Sequence, residues 1–362
     1  MRIVFFIDIL IGGGAGRSVV TLFKTLNTLG VDTHLILIDP IIRTPIEEFE
    51  DKVHILNPDK NLPRFKPVKY RILAKRLKNL VNSLKPTIFI SNLQYADKIT
   101  YLANIRNSFF CIRSIMSKEF FKFKKTLFEK KIKILKIKSI YNNQNLITIS
   151  KGLNQDLLEN LKLKPNKLIT IYNPFEIEHI INLGNKCNLN IPKEPYILHI
   201  GRYDIHSKRQ DLLLQAYKML NPPYKLYLLG KGDDKEKIEH MVKEMNLEKK
   251  VIIAGFDPNP YPWIKNAKLA VLTSDYEGFG RVIVESLILK TPIVSTNCPY
   301  GPDEILTGEL TQLLAKKGDV EDIAQKIHYN LKNPLKIEEK HYKKFKAENI
   351  AKEYIKLAEQ YL

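Results

Sequence analysis

Cysteine is scarce in this sequence, and long apolar runs are missing. The three cysteines, Cys111, Cys187 and Cys298, are odd in number and widely spaced, which argues against a disulfide framework and against a zinc site. A reducing compartment, the cytosol, is therefore expected. No uninterrupted run of about 18 apolar residues occurs, so we expect no transmembrane helix. The N-terminal residues 1–7 resemble a first strand and lack a cleavage site, so we also expect no signal peptide.

Acidic residues are in deficit as well. The chain has 39 Asp and Glu residues against 58 Lys and Arg residues, which gives a net charge of +19. Such a charge favours an anionic partner, which could be nucleic acid, an anionic membrane surface or an anionic substrate. A lysine-rich proteome would produce part of the same excess, so the charge alone does not choose among these partners.

The length and the patterning indicate two domains of α/β type. A chain of 362 residues suits two domains of ordinary size. Apolar segments of strand length alternate with helical patterns in both halves, which predicts parallel sheets. The polar stretch from Glu178 to Glu194 indicates a linker. We therefore expect an N-terminal domain over residues 1–180, a C-terminal domain over residues 181–345 and a terminal helix over residues 346–362.

The first βαβ unit contains a glycine-rich turn. Gly12 and Gly14 fit the first two positions of the dinucleotide fingerprint G-x-G-x-x-G, but Arg17 occupies the third. An arginine there would crowd the contact between helix and strand, and it suits a loop that faces a phosphate or an anionic substrate. The sequence therefore disfavours NAD as a ligand.

A strongly basic stretch runs from Ser117 to Lys138. It holds nine lysines and two glutamates, and the apolar pair Leu127 and Phe128 is repeated seven residues later at Ile134 and Leu135. We predict a helix here. It is either a surface that lies on anionic lipid headgroups or an ordinary domain helix with a solvated lysine face.

The residues that point most clearly to chemistry lie between Leu272 and Leu287. An apolar strand is followed by a turn with Glu277, Gly278 and Gly280, and then by a helix that carries Glu285. The glycines allow a tight turn whose N–H groups can bind an anion at the helix N-terminus. Two carboxylates beside a phosphate-binding turn suggest a nucleotide-sugar, although an isolated pair of this kind is more often structural.

Two cations support the same ligand. Arg202 and Lys208 follow the predicted strand Tyr196–Ile200, and open parallel sheets bind their ligands at the carboxyl ends of strands. Arginine and lysine at that edge match the diphosphate that Glu277 and Glu285 would accompany.

Several short motifs occur in a fixed order along nearly the whole chain. They are Gly13-Gly14-Ala15-Gly16-Arg17, Ile149-Ser150-Lys151-Gly152, Ile171-Tyr172-Asn173-Pro174, Gly201-Arg202 through Lys208, Gly230-Lys231-Gly232, Glu277-Gly278-Phe279-Gly280 through Glu285, and Gly301-Pro302-Asp303-Glu304-Ile305. Together they resemble the motifs of glycosyltransferase family 4, whose members are retaining enzymes of the GT-B fold. The resemblance implies an α/β protein with two Rossmann-like domains that face each other across a cleft, and a C-terminal helix that returns to the first domain.

The sequence departs from the family pattern at two places. Gly16 stands where the family usually has glutamate, and no histidine follows the predicted strand Ser108–Arg113. The second departure leaves open how the far side of the donor sugar is held.

The resemblance also implies roles for individual residues. Arg202, Lys208 and Glu277 would be catalytic, and Gly13, Gly14 and Arg17 would form the acceptor and phosphate loop. The residues expected to bind the donor are Gly14, Arg202 and Lys208 at the diphosphate, Phe256 at the base, Glu277, Gly278, Phe279 and Gly280 at the sugar, and Glu285 at the ribose.

We therefore expect a retaining glycosyltransferase that moves a hexose or N-acetylhexosamine from a nucleotide-sugar, preferably UDP-linked, to a glycan of lipopolysaccharide, capsule or a lipid-linked oligosaccharide. No metal or other cofactor is expected, and the anionic partner would be the inner face of the cytoplasmic membrane rather than nucleic acid. Two alternatives stay open, a sugar-nucleotide epimerase of similar fold and a basic nucleic-acid-binding protein.

Overall fold

The computed structural model describes residues 1–10, 13–42, 46–59, 61–121 and 126–362. They form two compact units, one of Met1–Phe175 with Phe345–Leu362 and the other of Glu176–Lys344. The point of division lies just before the predicted boundary at 180/181. Among the described residues, no helix combines the length and the apolar character that crossing a bilayer requires.

The first unit is built on a seven-stranded parallel sheet. Its strand order is β3-β2-β1-β4-β5-β6-β7, with a crossover from β3 to β4 that reverses the winding direction. The central strands are buried on both faces, which explains their continuous apolar sequences. The strands are β1 (Arg2–Ile7), β2 (Asp32–Leu37), β3 (Val53–Ile55), β4 (Ile88–Asn92), β5 (Ser108–Ile112), β6 (Asn145–Thr148) and β7 (Lys167–Thr170).

Helices cover both faces of this sheet, as the βαβ connections require. The helices are α1 (Gly14–Thr28), α2 (Lys66–Leu84), α3 (Gln94–Ala103), α4 (Met116–Phe121), α5 (Leu127–Tyr141) and α6 (Lys151–Gln155), which continues as a π-helical turn, Asp156–Asn160. A 3-10 helix, Glu47–Lys52, precedes β3.

The prediction of one helix over Ser117–Lys138 is wrong. The stretch contains α4 and α5 as separate helices, and residues 122–125 between them lie outside the described residues. Thr126 is the N-cap of α5. Its hydroxyl accepts from the backbone N–H of Glu129 at 3.2 Å, while the Glu129 carboxylate accepts from the Thr126 N–H at 3.3 Å. This reciprocal capping box starts helices strongly.

The second unit contains a six-stranded parallel sheet in the order β10-β9-β8-β11-β12-β13. Its strands are β8 (Tyr196–Ile200), β9 (Lys225–Leu229), β10 (Val251–Gly255), β11 (Leu269–Leu272), β12 (Ile293–Thr296) and β13 (Leu314–Ala315). Its helices are α7 (Ile177–Gly184), α8 (Ile205–Lys208), α9 (Gln210–Leu220), α10 (Lys235–Glu244), α11 (Tyr261–Asn266), α12 (Arg281–Ile288), α13 (Pro302–Ile305) and α14 (Val320–Lys332).

Helix α7 corrects the predicted linker. The polar composition of the stretch from Glu178 predicts a connector, yet its first residues belong to a helix that packs on α11 within the second unit. Ile177 and Ile180 are buried, and a Cβ atom on Gly184 would lie 2.7 Å from the Leu289 side chain. A few apolar residues and one close glycine contact are enough to hold the helix, and they give a weak signal in the sequence.

The last helix, α15 (Ala347–Glu359), belongs to the first unit and packs on α1. Two backbone hydrogen bonds fasten the start of the segment, from Phe175 N to Phe345 O and from Ala347 N to Phe175 O, both 2.9 Å long. The buried ring of Tyr354 then meets the ring of Phe5 edge to face, with centroids 5.7 Å apart.

Candidate active site

In the second unit, the loops that carry the predicted charges follow β8 and β11, which are neighbours in the sheet. Arg202 and Lys208 follow β8, and Glu277 follows β11. Because the two strands are parallel, their carboxyl ends lie at the same edge. The Lys208 ammonium donates a hydrogen bond to the Glu277 carboxylate, whereas the side chain of Arg202 is exposed. The structure thus brings a cation and a carboxylate together at the edge where such sheets bind ligands.

Neighbouring hydroxyls hold this pair in place. Ser274 donates to Oε1 of Glu277 at 2.6 Å, the same oxygen that accepts from Lys208, so a second donor fixes the carboxylate. Thr273 donates to the backbone carbonyls of Lys208 and Arg209, each at 3.0 Å. The end of β11 therefore positions both partners of the ion pair.

The glycine-rich turn after Glu277 is shaped by a second loop. Gly280 has φ +90° and caps the N-terminus of α12, a conformation that favours glycine. A Cβ atom on Gly301 would lie 2.4 Å from the carbonyl oxygen of Phe279, and the Tyr300 N–H donates to the Glu277 carbonyl at 3.0 Å. Close backbone approach thus explains why Gly301 stands at the start of its motif.

Glu285 lies one turn into α12 and is almost completely buried, with 2% of its surface exposed. Arg281 Nε lies 3.5 Å from its Oε1. Gly278 and the buried Phe279 precede it in the turn. A carboxylate in such a position is a strong acceptor for ligand hydroxyls.

His199 of β8 has a structural role. Its Nδ1 donates to the Val271 carbonyl at 3.0 Å, which joins β8 to β11, and its Nε2 faces the Gln210 amide at 3.4 Å. Burial lowers the pKa of His199 to about 4. The imidazole is therefore neutral at pH 7, which suits a fixed contact rather than proton transfer.

Phe256, the predicted base-binding residue, follows β10. Its ring is 59% exposed, and Lys231 Nζ lies 4.3 Å from the ring centroid. Lys231 belongs to the loop of Gly230 and Gly232, where a Cβ atom on Gly230 would lie 1.9 Å from the carbonyl oxygen of Gly201. The glycines thus allow this loop to approach the one that leads to Arg202, and an aromatic face remains open at the surface.

In the first unit, the predicted phosphate loop lies at the start of α1. Gly13 is the N-cap and Gly14 the first helical residue, while the side chain of Arg17 is half-buried. Ser18 in the next turn donates to Oδ1 of Asn173 at 3.1 Å. Ile11 and Gly12 of the same turn lie outside the described residues.

An arginine for which no role was predicted, Arg113, lies beside this loop. Arg113 follows β5 and donates from Nε to Asn92 Oδ1 and from Nη1 to Asn173 Oδ1, both at 3.0 Å. Asn173 therefore joins the guanidinium to Ser18 of α1. The sequence does place an arginine at the end of a predicted strand. This is the region where many members of the family have a histidine.

A buried carboxyl group lies close by. Asp97 accepts from Ser91 Oγ at 2.6 Å and from the Tyr141 hydroxyl at 2.8 Å. Burial raises its pKa to about 7, although these hydrogen bonds and the charge of Arg113 act in the opposite direction.

Among the described residues, no group of three or more His, Cys, Asp or Glu side chains is placed to hold a metal ion.

Helix α5 is apolar on two faces. Ile137 and Tyr141 pack into the first unit, with Ile134 against the same cluster. On the outer side Phe128 and Leu135 are 72% and 65% exposed. Ile132 lies between them at the spacing i, i+4, i+7, which forms one helical ridge.

Both halves of the chain are similar to known glycosyltransferases. Residues 12–179 match the family described as Glycosyltransferase Family 4, and residues 185–351 match Glycosyl transferases group 1. Among curated relatives, a transferase of Campylobacter jejuni, N-acetylgalactosamine-N,N'-diacetylbacillosaminyl-diphospho-undecaprenol 4-alpha-N-acetylgalactosaminyltransferase, is 31% identical over 97% of this chain and 98% of its own length. The lipopolysaccharide 1,6-galactosyltransferase of Escherichia coli K12 is 27% identical over 48% of each chain.

Solved structures agree in fold. Sucrose-phosphate synthase from Thermosynechococcus elongatus has a TM-score of 0.78 at 19% identity, covering 99% of this chain and 98% of its own. Anabaena HepE in complex with UDP has a TM-score of 0.75 at 17% identity, covering 99% and 100%. The prediction of the GT-B class with two Rossmann-like units is confirmed.

These matches define the class of protein. The chain belongs to the family 4 type of glycosyltransferases, and it is a glycosyltransferase. The predicted family and enzyme class are confirmed.

Proposed function

We propose that this protein transfers an N-acetylhexosamine or hexose from a UDP-sugar to a hydroxyl of a lipid-linked or surface-polysaccharide glycan, with retention at the anomeric carbon. The observation that carries the proposal is the Lys208–Glu277 pair beside the N-terminus of α12. A cation, a carboxylate and helix amides at one sheet edge match a sugar diphosphate.

The relatives support the choice of substrates. The Campylobacter jejuni transferase is named for an acceptor carried on diphospho-undecaprenol, and the Escherichia coli relative for lipopolysaccharide. Anabaena HepE was solved with UDP and glucose. We extend these substrate classes to this chain as a proposal, with UDP-N-acetylhexosamine as the first donor to test.

Each predicted residue then has a role. Arg202 and Lys208 bind the diphosphate, Glu277 and Gly278 with the amides of Phe279 and Gly280 hold the donor sugar, Glu285 binds the ribose and Phe256 stacks on the base. In the first unit, Gly13, Gly14 and Arg17 bind phosphate or acceptor oxygens at the start of α1.

The reaction is a substitution at the anomeric carbon. The bond from this carbon to the β-phosphate oxygen breaks and its electron pair stays on the leaving diphosphate, while the acceptor oxygen forms the new glycosidic bond. The acceptor proton passes to the leaving phosphate oxygen on the same face of the sugar, which preserves the configuration. Lys208 and Arg202 stabilise the charge on the leaving group, and groups arranged in advance for a developing charge contribute strongly to rate.

The proposal includes no obligatory metal, because side-chain cations and helix amides supply the positive charge. Transfer measured after treatment with EDTA tests this point. Retained activity supports it, and loss that is restored by added Mg²⁺ or Mn²⁺ overturns it.

We also propose that the protein is peripheral to the inner face of the cytoplasmic membrane and has no nucleic-acid partner. The outer ridge of α5, Phe128, Ile132 and Leu135, would enter the headgroup region, and neighbouring lysines such as Lys131 and Lys138 would meet anionic lipids. Binding to anionic vesicles that is lost when Phe128 and Leu135 become serine supports this. Wild-type protein that ignores such vesicles at physiological salt, or that prefers oligonucleotides, overturns it.

The experiment for the donor is thermal stabilisation by a panel of nucleoside diphosphates and nucleotide-sugars. A ligand that binds the native state raises the melting temperature according to its affinity and concentration. We expect a shift with UDP and UDP-sugars that Glu285→Ala abolishes and that Glu321→Ala, an exposed acid of the same unit, preserves. The absence of any nucleotide shift would overturn the donor proposal, and product analysis separates transfer from isomer formation.

A further inference from the structure

The first unit holds a cationic cavity away from the glycine-rich loop. It measures about 360 Å³ and lies between α2, α3 and α5. This volume is at the lower end of the range for ligand sites, about 300–1,000 Å³. The lining includes Lys98 of α3 and Lys133 and Lys136 of α5, and among the described residues no Asp or Glu lines it.

Two tyrosines form an aromatic wall of the cavity. The rings of Tyr70 and Tyr95 meet edge to face with centroids 5.6 Å apart. Lys98 Nζ lies 4.7 Å from the Tyr70 centroid, and Lys69 Nζ lies 5.5 Å from the Tyr95 centroid. The contact with Tyr70 holds the Lys98 ammonium group at the cavity. A contact with a ring face leaves the charge of the lysine itself in place.

The nearby carboxyl group of Asp97 does not line the cavity. Asp97 lies behind Tyr141, whose hydroxyl it binds at 2.8 Å, and it is buried. The cavity therefore presents positive charge with an aromatic and aliphatic wall. This combination fits a phosphate group attached to an organic body.

The same helix indicates the source of that phosphate. Lys133 and Lys136 line the cavity, while Phe128 and Leu135 of α5 are largely exposed on the outer ridge. A free phosphate would leave the ridge uncovered. A phospholipid bilayer supplies hydrocarbon for the ridge and a phosphate beside it.

We propose that this cavity is a headgroup site for one anionic phospholipid, seated beside the ridge that enters the membrane. The inference rests on the peripheral location proposed above and adds a defined lipid-binding site to it. It also implies that lysines of equal charge on the same helix contribute unequally, because those at the cavity contact the phosphate directly.

The test compares two lysine pairs matched in exposure. Lys98→Gln with Lys136→Gln removes one half-buried and one exposed lysine at the cavity. Lys138→Gln with Lys131→Gln removes one half-buried and one exposed lysine of α5 that do not line it. Partitioning onto phosphatidylcholine vesicles, with and without phosphatidylglycerol, is measured for each full-length variant, and melting temperatures verify folding.

We expect the control pair to lower partitioning onto phosphatidylglycerol vesicles by about fivefold per lysine at most, the effect of general charge attraction. The cavity pair should lower it at least about tenfold further, since charge-assisted hydrogen bonds to phosphate are roughly twice as strong as neutral ones. Equal losses of vesicle binding in the two double variants would overturn the proposal. They would show that the lysines act only through the general positive charge of the surface. A selective loss of oligonucleotide binding instead would also overturn it.

The increase in melting temperature caused by UDP, which is proposed to bind the second unit, is measured on the same variants. A cavity pair that loses vesicle binding but keeps the UDP-dependent shift supports the headgroup site independently of the donor. If UDP does not raise the melting temperature of the wild-type protein, the donor proposal is overturned, and the result of the vesicle experiment is unaffected.

Discussion

The ammonium group of Lys208 lies against the carboxylate of Glu277, although 69 positions separate the two residues in the chain. The pair is only partly exposed, with 22% and 12% of the side-chain surfaces accessible. Such a pair orients both groups before a ligand arrives, which reduces the reorganisation that catalysis would otherwise require.

The two partners should have separable effects. Lys208→Ala is expected to lower kcat by about 10²–10³-fold and to weaken UDP binding, because the diphosphate loses its cation. Glu277→Gln should lower kcat with little effect on UDP, because its proposed partner is the sugar that UDP lacks. Steady-state kinetics and calorimetric titration with UDP measure both effects, with Lys235→Ala, an exposed lysine of the same unit, as the control. A loss of UDP affinity as large for Glu277→Gln as for Lys208→Ala would contradict the division of roles.

Phe256 gives a second prediction about the donor. Its exposed ring and the nearby Lys231 form a platform on which a base can stack. Phe256→Ala should weaken UDP binding by about 1–3 kcal/mol, the range for base stacking on an aromatic side chain, whereas Phe256→Tyr should retain binding. Phe65→Ala, an exposed phenylalanine of the first unit, serves as the control. Unchanged UDP affinity in Phe256→Ala would place the base elsewhere.

The sequence predicted much of the fold, because most strands are buried on both faces and read as apolar runs. β8 has the predicted bounds, and a helix carries Glu285 as expected. Helix α7 was missed because its apolar contacts are few. The bounds and faces of helix α5 were harder to predict. It has an apolar core face and an apolar outer ridge, and because their residues alternate in the sequence, neither shows a clear helical period.

The site was predictable where it depends on local motifs and unpredictable where it depends on distant contacts. The spacing of Glu277 and Glu285 is local, as is the capping glycine Gly280. The contact of Arg113 with Asn173 joins residues 60 positions apart, and periodicity carries no information about such a pair. Asp97 is similar, since a helical aspartate reads as solvated until the structure shows that it is buried.

Arg113 should be irreplaceable by lysine. Its guanidinium donates to Asn92 and Asn173 together, each at 3.0 Å, and a single ammonium cannot reproduce this fork. Arg113→Lys is expected to lower the free energy of unfolding by about 1–3 kcal/mol, because a buried amide oxygen loses its donor. Arg106→Lys, at an exposed position of the same unit, should change stability little. Urea unfolding compares the two variants, and equal midpoints would show that the fork contributes nothing.

Asp97 should make the stability of the first unit depend on pH. Its pKa of about 7 in the folded state lies above the ordinary value of 3.8 because burial disfavours the charged carboxylate. Its contribution to stability is therefore complete below about pH 4 and is lost as the pH rises through about 7. In Asp97→Asn this titration is absent, so the stability of wild type relative to the variant should fall by about 1.4 kcal/mol for each pH unit within that window.

Urea unfolding of both proteins at about pH 5 and about pH 8 brackets most of the titration of Asp97. Taking the difference between the two proteins at each pH cancels the titration of all other groups that the substitution does not affect. Asp51→Asn, an exposed acid of the same unit, is the matched control and should show no such trend. A difference between wild type and Asp97→Asn that is the same at both pH values would mean that Asp97 is ionised throughout, with Ser91, Tyr141 and Arg113 outweighing the effect of burial.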